Sequence, residues 1–135
     1  MVIFKEHKSY VMEHNMVGWF EIPVNNMERA KAFYEAVFQV EISIHDFGGM
    51  LMGWFPDRGE VPGAQGTLIK QDTYVPSREG TLVYFISANV QNELDRVKVA
   101  GGEIYQQKTQ ISPEHGYMGV FIDSEGNRVA LHSRN

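Results

Sequence analysis

The chain has 135 residues, enough for one domain that buries a core without disulfide or metal crosslinks, and it has no Cys for a disulfide or a thiolate metal site. Its 12 Lys and Arg against 17 Asp and Glu give a net charge of −5, and the basic residues are scattered, so nucleic acid is not an expected partner. No apolar run is long enough to span a membrane and the first residues do not resemble a signal peptide, so we expect a cytoplasmic protein without a membrane partner.

The first predicted strand follows an irregular N-terminal segment. Residues 1–15 are polar and are predicted to be a flexible extension. Over residues 17–24 apolar side chains alternate, which predicts a strand that packs through Ile22 and its neighbours on the same face. The alternation places Trp19 and Glu21 on the opposite face.

A helix is predicted directly after this strand. Asn25 is its predicted N-cap, and Glu28 is placed to complete a capping box. Apolar residues then recur at three- and four-residue spacing and form a stripe that can cover the packed face of the strand. This stripe consists of Ala30, Phe33, Tyr34, Val37 and Phe38.

The same order of elements is predicted twice along the chain. Three strands follow the first helix, over residues 40–46, 50–56 and 67–71. After a linker at residues 72–80, a strand over residues 81–88 precedes a helix that is capped by Asn89 and ends at Gly101. The last three strands are predicted over residues 103–109, 117–123 and 128–133.

This repetition predicts an α+β fold of two tandem βαβββ modules. The modules cover about residues 16–72 and 80–135, within one domain of residues 16–135. Neither half closes a core alone, so the paired modules are expected to form a curved mixed sheet around a cavity, with the helices outside.

Several phrases of the sequence resemble one protein family. Trp19 opens the phrase Trp-Phe-Glu-Ile-Pro-Val-Asn-Asn, a helix carries Ala-Phe-Tyr-Glu-Ala-Val-Phe, and His132 closes Phe-Ile-Asp-Ser-Glu-Gly-Asn-Arg-Val-Ala-Leu-His. Together with the Ala-Gly-Gly helix end at Gly102, they resemble the vicinal oxygen chelate superfamily, which contains glyoxalase I, bleomycin-resistance proteins and extradiol dioxygenases. The resemblance covers residues 16–133 and implies paired βαβββ modules, a cup-shaped cavity and a homodimer.

The resemblance also indicates where the metal ligands of this family would stand. In metal-using members a His or Gln opens the first strand of each module, and a Glu lies on the last strand. Trp19, Leu82 and Ala130 occupy three of these positions, and none of them can coordinate a divalent ion. The fourth position falls within residues 67–71, where Gln71 offers an amide oxygen at best. The resemblance therefore implies a branch without the usual ligands, and no metal or other cofactor is predicted.

Glu21 and His132 are the candidate catalytic residues. Each lies two residues beyond a position that lacks its ligand, so strand alternation points both toward the cavity. A carboxylate and an imidazole facing each other can act as a general base and its orienting group, or can contact a ligand. The structural alternative is a buried, mutually satisfied pair that fixes the two strands.

Aromatic side chains define the predicted ligand. Tyr84 shares the inward face with Leu82, and Trp54 is expected to line the cavity, where aromatic walls suit a planar or apolar molecule. We therefore predict that a small organic molecule is bound without metal. The predicted ligand-binding residues are Trp19, Glu21, Trp54, Leu82, Tyr84, Ala130 and His132.

Two alternatives remain open from the sequence. One is a metal-dependent enzyme of the glyoxalase type, a lyase or isomerase, or of the dioxygenase type, with a divalent metal held by displaced ligands at Glu21 and His132. The other is a non-catalytic interaction module whose cavity is filled by Trp19 and Trp54.

Overall fold

The computed structural model of the chain describes residues 14–135. Most of the predicted extension, residues 1–13, lies outside the described residues. The elements follow in the order β1 (Glu21–Pro23), α1 (Met27–Phe38), β2 (Ser43–Asp46), β3 (Leu51–Trp54), β4 (Thr67–Lys70), β5 (Tyr84–Ile86), α2 (Val90–Ala100), β6 (Glu103–Ser112), β7 (Gly116–Ile122) and β8 (Arg128–Ser133).

The strands form two four-stranded sheets of the same topology. The strand order is β1-β4-β3-β2 in the first sheet and β5-β8-β7-β6 in the second. In each sheet the first and last strands of the module run parallel, and all other neighbours run antiparallel. Each half is therefore a βαβββ module with an open mixed sheet, which confirms the predicted α+β fold of tandem modules.

The first helix begins one residue later than the sequence predicted. Asn26 is its N-cap and accepts a hydrogen bond from the amide of Arg29 at 3.0 Å. The predicted cap, Asn25, instead donates its amide to the carboxylate of Glu125 in the other module at 2.9 Å. Within the described chain Glu28 completes no capping box, because this distant carboxylate occupies the free amides of the helix end.

The second helix has the predicted ends. Asn89 caps α2 by accepting a hydrogen bond from the amide of Gln91 at 3.0 Å. The helix stops at Gly101, whose φ of 108° lies in the left-handed region that favours glycine. Across residues 14–135, neither α1 nor α2 is long and apolar enough to cross a lipid bilayer.

Strand register shows which face of the first sheet meets α1. Ile22, Leu68 and Gly53 lie side by side in the ladder, and a Cβ on Gly53 would come within 3.0 Å of the Met27 sulfur on α1. This row therefore faces the helix. Because side chains alternate along a strand, the neighbouring row of Glu21, Thr67 and Trp54 faces away from it.

The same reasoning applies to the second sheet. Gly119 and Leu131 lie opposite each other, and a Cβ on Gly119 would come within 2.8 Å of the Leu94 side chain on α2. The next row, which contains Tyr84 and Ala130, therefore lies on the face away from α2.

The first strand of each module is shorter than predicted. Strand β1 covers three residues instead of residues 17–24, and β5 covers three instead of residues 81–88. β4, the parallel partner of β1, begins only at Thr67, after Gly66 with a φ of 70°. The chain before Phe20 thus has no strand to pair with, and it borders open space between the modules.

Aromatic packing joins the two modules within one chain. The rings of Phe33 on α1 and Phe121 on β7 lie 5.8 Å apart, and those of Phe38 on α1 and Phe85 on β5 lie 4.7 Å apart. Helices α1 and α2 also pack against each other. The two helices and the helix-facing sides of both sheets therefore share one core.

A polar clamp also joins the modules at the turn between β7 and β8. The Glu125 carboxylate accepts hydrogen bonds from the amides of Asn25 and Asn26, both at 2.9 Å. It also accepts from the Arg29 guanidinium, through Nε at 2.7 Å and through Nη2 at 3.0 Å. A carboxylate at this position satisfies the free amides at the start of α1 and complements the positive end of the helix dipole.

Two neighbours of Glu125 extend this clamp. Asp123 accepts a hydrogen bond from the hydroxyl of Tyr34 on α1 at 2.6 Å. Burial, together with the charge of Asp123, raises the pKa of Tyr34 well above its usual value, so the hydroxyl stays a donor. The Asn127 amide donates to the carbonyl oxygen of Pro23 at the end of β1, at 2.8 Å. The turn thus fixes both α1 and β1 against the second module.

The clamp generates a prediction for stability. The side chain of Glu125 is 0% exposed, so Glu125→Gln should lower the free energy of unfolding by about 2 kcal/mol at pH 7, the scale of buried charge-assisted hydrogen bonds. Urea denaturation measures this change. The control is Glu103→Gln, which breaks the exposed pair with Arg78 and should cost less than about 1 kcal/mol. Equal effects of the two substitutions would contradict the clamp.

The effect of Glu125→Gln should also depend on pH. Burial alone raises the pKa of Glu125, but hydrogen bonds from Arg29 and from the amides of Asn26 and Asn25 outweigh burial and hold this pKa below its ordinary value. Its stabilisation is therefore complete above the unfolded pKa of about 4.3 and is lost as the pH falls through the lower folded pKa. The difference between wild type and variant should shrink in acid, and a constant difference from pH 7 to pH 3 would refute this assignment.

Candidate functional site

A broad cleft of about 840 Å³ opens between the two modules. The chain leading into β1 forms one side, and residues 81–86, which include β5, form the opposite side. The end of α1 and the connection between β3 and β4 complete the lining. Its aromatic side chains are Trp19, Phe20, Phe38, Phe55, Tyr84 and Phe85.

Four phenylalanines make the inner wall of this cleft. Phe85 lies at the centre, with ring centroids 4.7 Å from Phe38, 5.4 Å from Phe55 and 5.7 Å from Phe20. Tyr34, which is held by the clamp, packs behind them against Phe55 at 5.6 Å. The inner wall is therefore part of the shared core and has a fixed shape.

Three predicted site residues meet at the outer part of the cleft. Trp19, Leu82 and Tyr84 all line it. Trp19 is 41% exposed and Tyr84 is 49% exposed, so both side chains are partly open to solvent. Trp19 and Leu82 were singled out as positions matched to the family, and Tyr84 by alternation from Leu82. Because residues 81–86 all line the cleft, alternation does not select among them, and the function of the three residues remains a prediction.

Trp54 lies behind Trp19. Their rings meet edge to face at 6.2 Å, with an angle of 85° between the planes. His45 stacks on Trp54 at 3.9 Å, and the indole N–H of Trp54 donates to the Met52 sulfur at 3.4 Å. Trp54 therefore supports Trp19 from the face of the first sheet that points away from α1. The two indoles touch each other without filling the cleft beside them, which disfavours the filled-cavity interpretation.

A smaller cavity of about 290 Å³ adjoins the cleft. The two spaces share Phe20, Thr81 and Val83 in their linings. The polar lining of the smaller cavity consists of Glu21, Ser77, Thr81, Asn127 and Arg128.

Arg128 is the lining residue that the sequence interpretation missed. It lies on β8 two residues before Ala130, so alternation places it on the same sheet face. The two-residue spacing from Ala130 was the only signal in the sequence, because the family resemblance matches Ala130, and not Arg128, to a ligand position.

Glu21 and His132 do not form the predicted pair. Among residues 14–135 no hydrogen bond or ion pair joins them, and His132 Nε2 instead lies 2.6 Å from the carbonyl oxygen of His115. Glu21 lines the smaller cavity, whereas His132, which pairs in register with Ile86, is not part of its lining.

The remaining predicted contact, Ala130, is fully buried, so this structure gives it no surface for a ligand. The side chains at the three matched metal positions are Trp19, Leu82 and Ala130, and none carries a suitable donor atom. In the part of the chain that the structure describes, no group of three or more His, Asp or Glu is placed to hold a metal ion. These residues therefore do not fit the metal of the family.

Comparison with known proteins identifies the fold. No family model matches the sequence, and no curated protein matches it significantly. Among solved structures, the fosfomycin resistance protein FosX from Listeria monocytogenes superposes with a TM-score of 0.66 at 18% identity, covering 87% of this chain and 89% of that one. TnmS3, an antibiotic binding protein from Streptomyces sp. CB03234, gives 0.62 at 20% identity, covering 92% and 99%.

Glyoxalase I from Zea mays is also similar, with a TM-score of 0.62 at 17% identity. The match covers 86% of this chain but 45% of the maize protein, so the chain spans about half its length. At these identities the comparisons show the fold alone. They confirm that the chain has the fold of the vicinal oxygen chelate superfamily, as the sequence phrases indicated.

The side chains at the metal positions generate a prediction. Adding Ni²⁺, Zn²⁺ or Mn²⁺ should leave the Tm unchanged within about 1 °C. A real site, with the ion at ~1,000 times its Kd, would instead raise the free energy of unfolding by about 4 kcal/mol and the Tm by roughly 10 °C. Thermal unfolding with each ion measures this, and elemental mass spectrometry of untagged protein purified without chelator gives the bound content. A content near one ion per chain that is lost in Glu21→Ala would contradict this prediction. It would support the alternative in which Glu21 and His132 hold a metal as displaced ligands.

Proposed function

We propose that the chain binds a small organic molecule with a planar, apolar body in the cleft between its modules, without a metal. The observation that supports this most strongly is the construction of the cleft. Its inner wall is an aromatic cluster packed into the core, while Trp19 and Tyr84 at the rim are partly exposed. Such a concave, mostly apolar space with a few polar groups nearby is typical of a small-molecule site.

The energetics are consistent with ordinary ligand affinities. A bicyclic aromatic molecule that buries about 200 Å² of apolar surface gains about 5 kcal/mol, before the cost of association. Offset or edge-on contacts with the rings add about 1 kcal/mol each. Dissociation constants between micromolar and millimolar are therefore expected for a simple aromatic probe.

Binding is proposed in preference to catalysis because the candidate pair is separated. Glu21 lines the smaller cavity, while the imidazole of His132 on β8 is held by the carbonyl oxygen of His115 in the turn between β6 and β7. No other observation favours a metal-dependent reaction. Two proteins of similar structure, the antibiotic binding protein TnmS3 and the fosfomycin resistance protein FosX, support a small molecule as the kind of partner this fold accommodates.

The proposed site predicts the effect of a charge in the cleft. Leu82 is half-buried in its lining, so Leu82→Glu should weaken the binding of naphthalene-2-carboxamide at least tenfold, because the apolar ring would then displace water from a carboxylate. Isothermal titration calorimetry measures the affinity. Val99→Glu is the matched control, since Val99 on α2 is 94% exposed and outside the cleft. Failure of the wild-type chain to bind this neutral probe at millimolar concentration would argue against the site.

A homodimer is the second part of the proposal. It is supported by the family resemblance and by large apolar side chains that the second module exposes, such as Ile86 at 74% and Tyr105 at 58%. Light scattering after size exclusion at micromolar concentration should give twice the chain mass of 15.4 kDa. A monomer mass over the whole concentration range would rule out the dimer.

A further inference from the structure

Arg128 carries a buried donor that no group of residues 14–135 satisfies. Within this described part of the chain its buried Nε atom has no hydrogen-bond partner, and its side chain joins no ion pair. Four other arginines of this region, by contrast, each donate to a carboxylate or a carbonyl oxygen, namely Arg29, Arg78, Arg96 and Arg134. Leaving a buried donor of a charged group unpaired is costly. Nε itself is closed to solvent, so an acceptor in the cavity that Arg128 lines would meet the Nη nitrogens of the guanidinium and balance its charge.

The surroundings hold Arg128 in place at the smaller cavity. Its neighbour Asn127 donates to the Pro23 carbonyl oxygen at 2.8 Å and accepts from the amide of Ser77 at 3.0 Å. The backbone of Arg128 pairs with Ile122 on β7. The guanidinium is therefore attached at a rigid point between the modules.

Other donors line the same cavity. The Ser77 hydroxyl accepts from the amide of Glu79 at 2.9 Å, which leaves its own proton free to donate. The hydroxyl of Thr81 is at the boundary shared with the main cleft. A guanidinium with two hydroxyl groups is a donor set suited to a carboxylate or another oxyanion, because the guanidinium fork presents two parallel N–H groups.

We propose that Arg128 binds a negatively charged head group of the ligand, with a carboxylate as the simplest case. The head occupies the smaller cavity, and the planar body extends past Phe20 and Val83 into the main cleft. This inference rests on the proposed function, and it narrows the ligand to an aromatic or apolar molecule that carries an anionic group.

Glu21 is the one acidic side chain in the lining of this cavity. It is exposed and lies beyond 4.0 Å from the guanidinium nitrogens, so it does not neutralise Arg128 in this structure. Its charge opposes an anionic head group, although solvent screens this repulsion. Glu21 therefore reduces the preference for anions without removing the donor that creates it.

The test uses two probes with the same ring. Naphthalene-2-carboxylate carries the charge, and naphthalene-2-carboxamide does not. Calorimetry on the wild-type chain should give at least tenfold tighter binding of the carboxylate. Arg128→Gln should bring the two affinities within about twofold, with little change for the amide. Glu21→Gln should increase the preference for the carboxylate, and Arg134→Gln, whose guanidinium donates to the Glu114 carbonyl oxygen outside both linings, should leave it unchanged.

Each contrary result has a distinct meaning. Equal wild-type affinities for the two probes would overturn the anion site and leave the proposed function standing, whereas binding of neither probe would overturn both. Arg58 is a second cation at the main cleft, so loss of the preference in Arg58→Gln but not in Arg128→Gln would also overturn the assignment. If Arg128→Gln does not fold by circular dichroism, Arg128→Lys keeps the charge without the fork. A preference reduced in that variant supports the proposal, and an unchanged preference refutes the bidentate contact.

Discussion

The buried carboxylate of Glu125 is the contact on which the arrangement of the two modules depends. It comes from a turn of the second module and accepts the amides of Asn25 and Asn26 at the start of α1 in the first, beside the local cap that the Asn26 side chain provides. Asp123 and Asn127, on either side of it, hold Tyr34 and the end of β1. Two amides at this helix start are satisfied by a partner about 100 residues away, which links the formation of α1 to the docking of the modules. The space between β1 and β5 is therefore set by this docking.

That space explains why binding is the best-supported function. The core supplies the fixed phenylalanine wall, and the short strands β1 and β5 leave the rim open beside Trp19 and Tyr84. The positions that the resemblance matches to metal ligands carry apolar side chains, and the smaller cavity beside the cleft is lined by Arg128 with Ser77 and Asn127. An apolar cleft beside a localised cationic group favours recognition of an amphipathic molecule, with orientation set by the charged end.

Local patterns predicted most of the fold. Alternation and helical spacing depend on neighbours in the sequence, so the buried stripe of α1, the cap of α2 and strand β8 followed from the residues themselves. Trp19 and Leu82 were chosen from positions matched to the family and Tyr84 from its alternation with Leu82; all three lie in the lining of the cleft, and their function stays a prediction. The errors concern contacts between distant residues. The cap of α1 moved by one residue because Glu125 binds there, and the separation of Glu21 from His132 depends on how two sheets dock. The importance of Arg128 also appears only when the two modules come together.

The most direct test of the central claim is a crystal structure of the chain with naphthalene-2-carboxylate. We predict electron density for the ring in the cleft, between the phenylalanine wall and the side chains of Trp19 and Tyr84, with the carboxylate toward Arg128. A ring bound outside the cleft, or Trp19 folded into the cleft with no density for the compound at saturating concentration, would contradict the account.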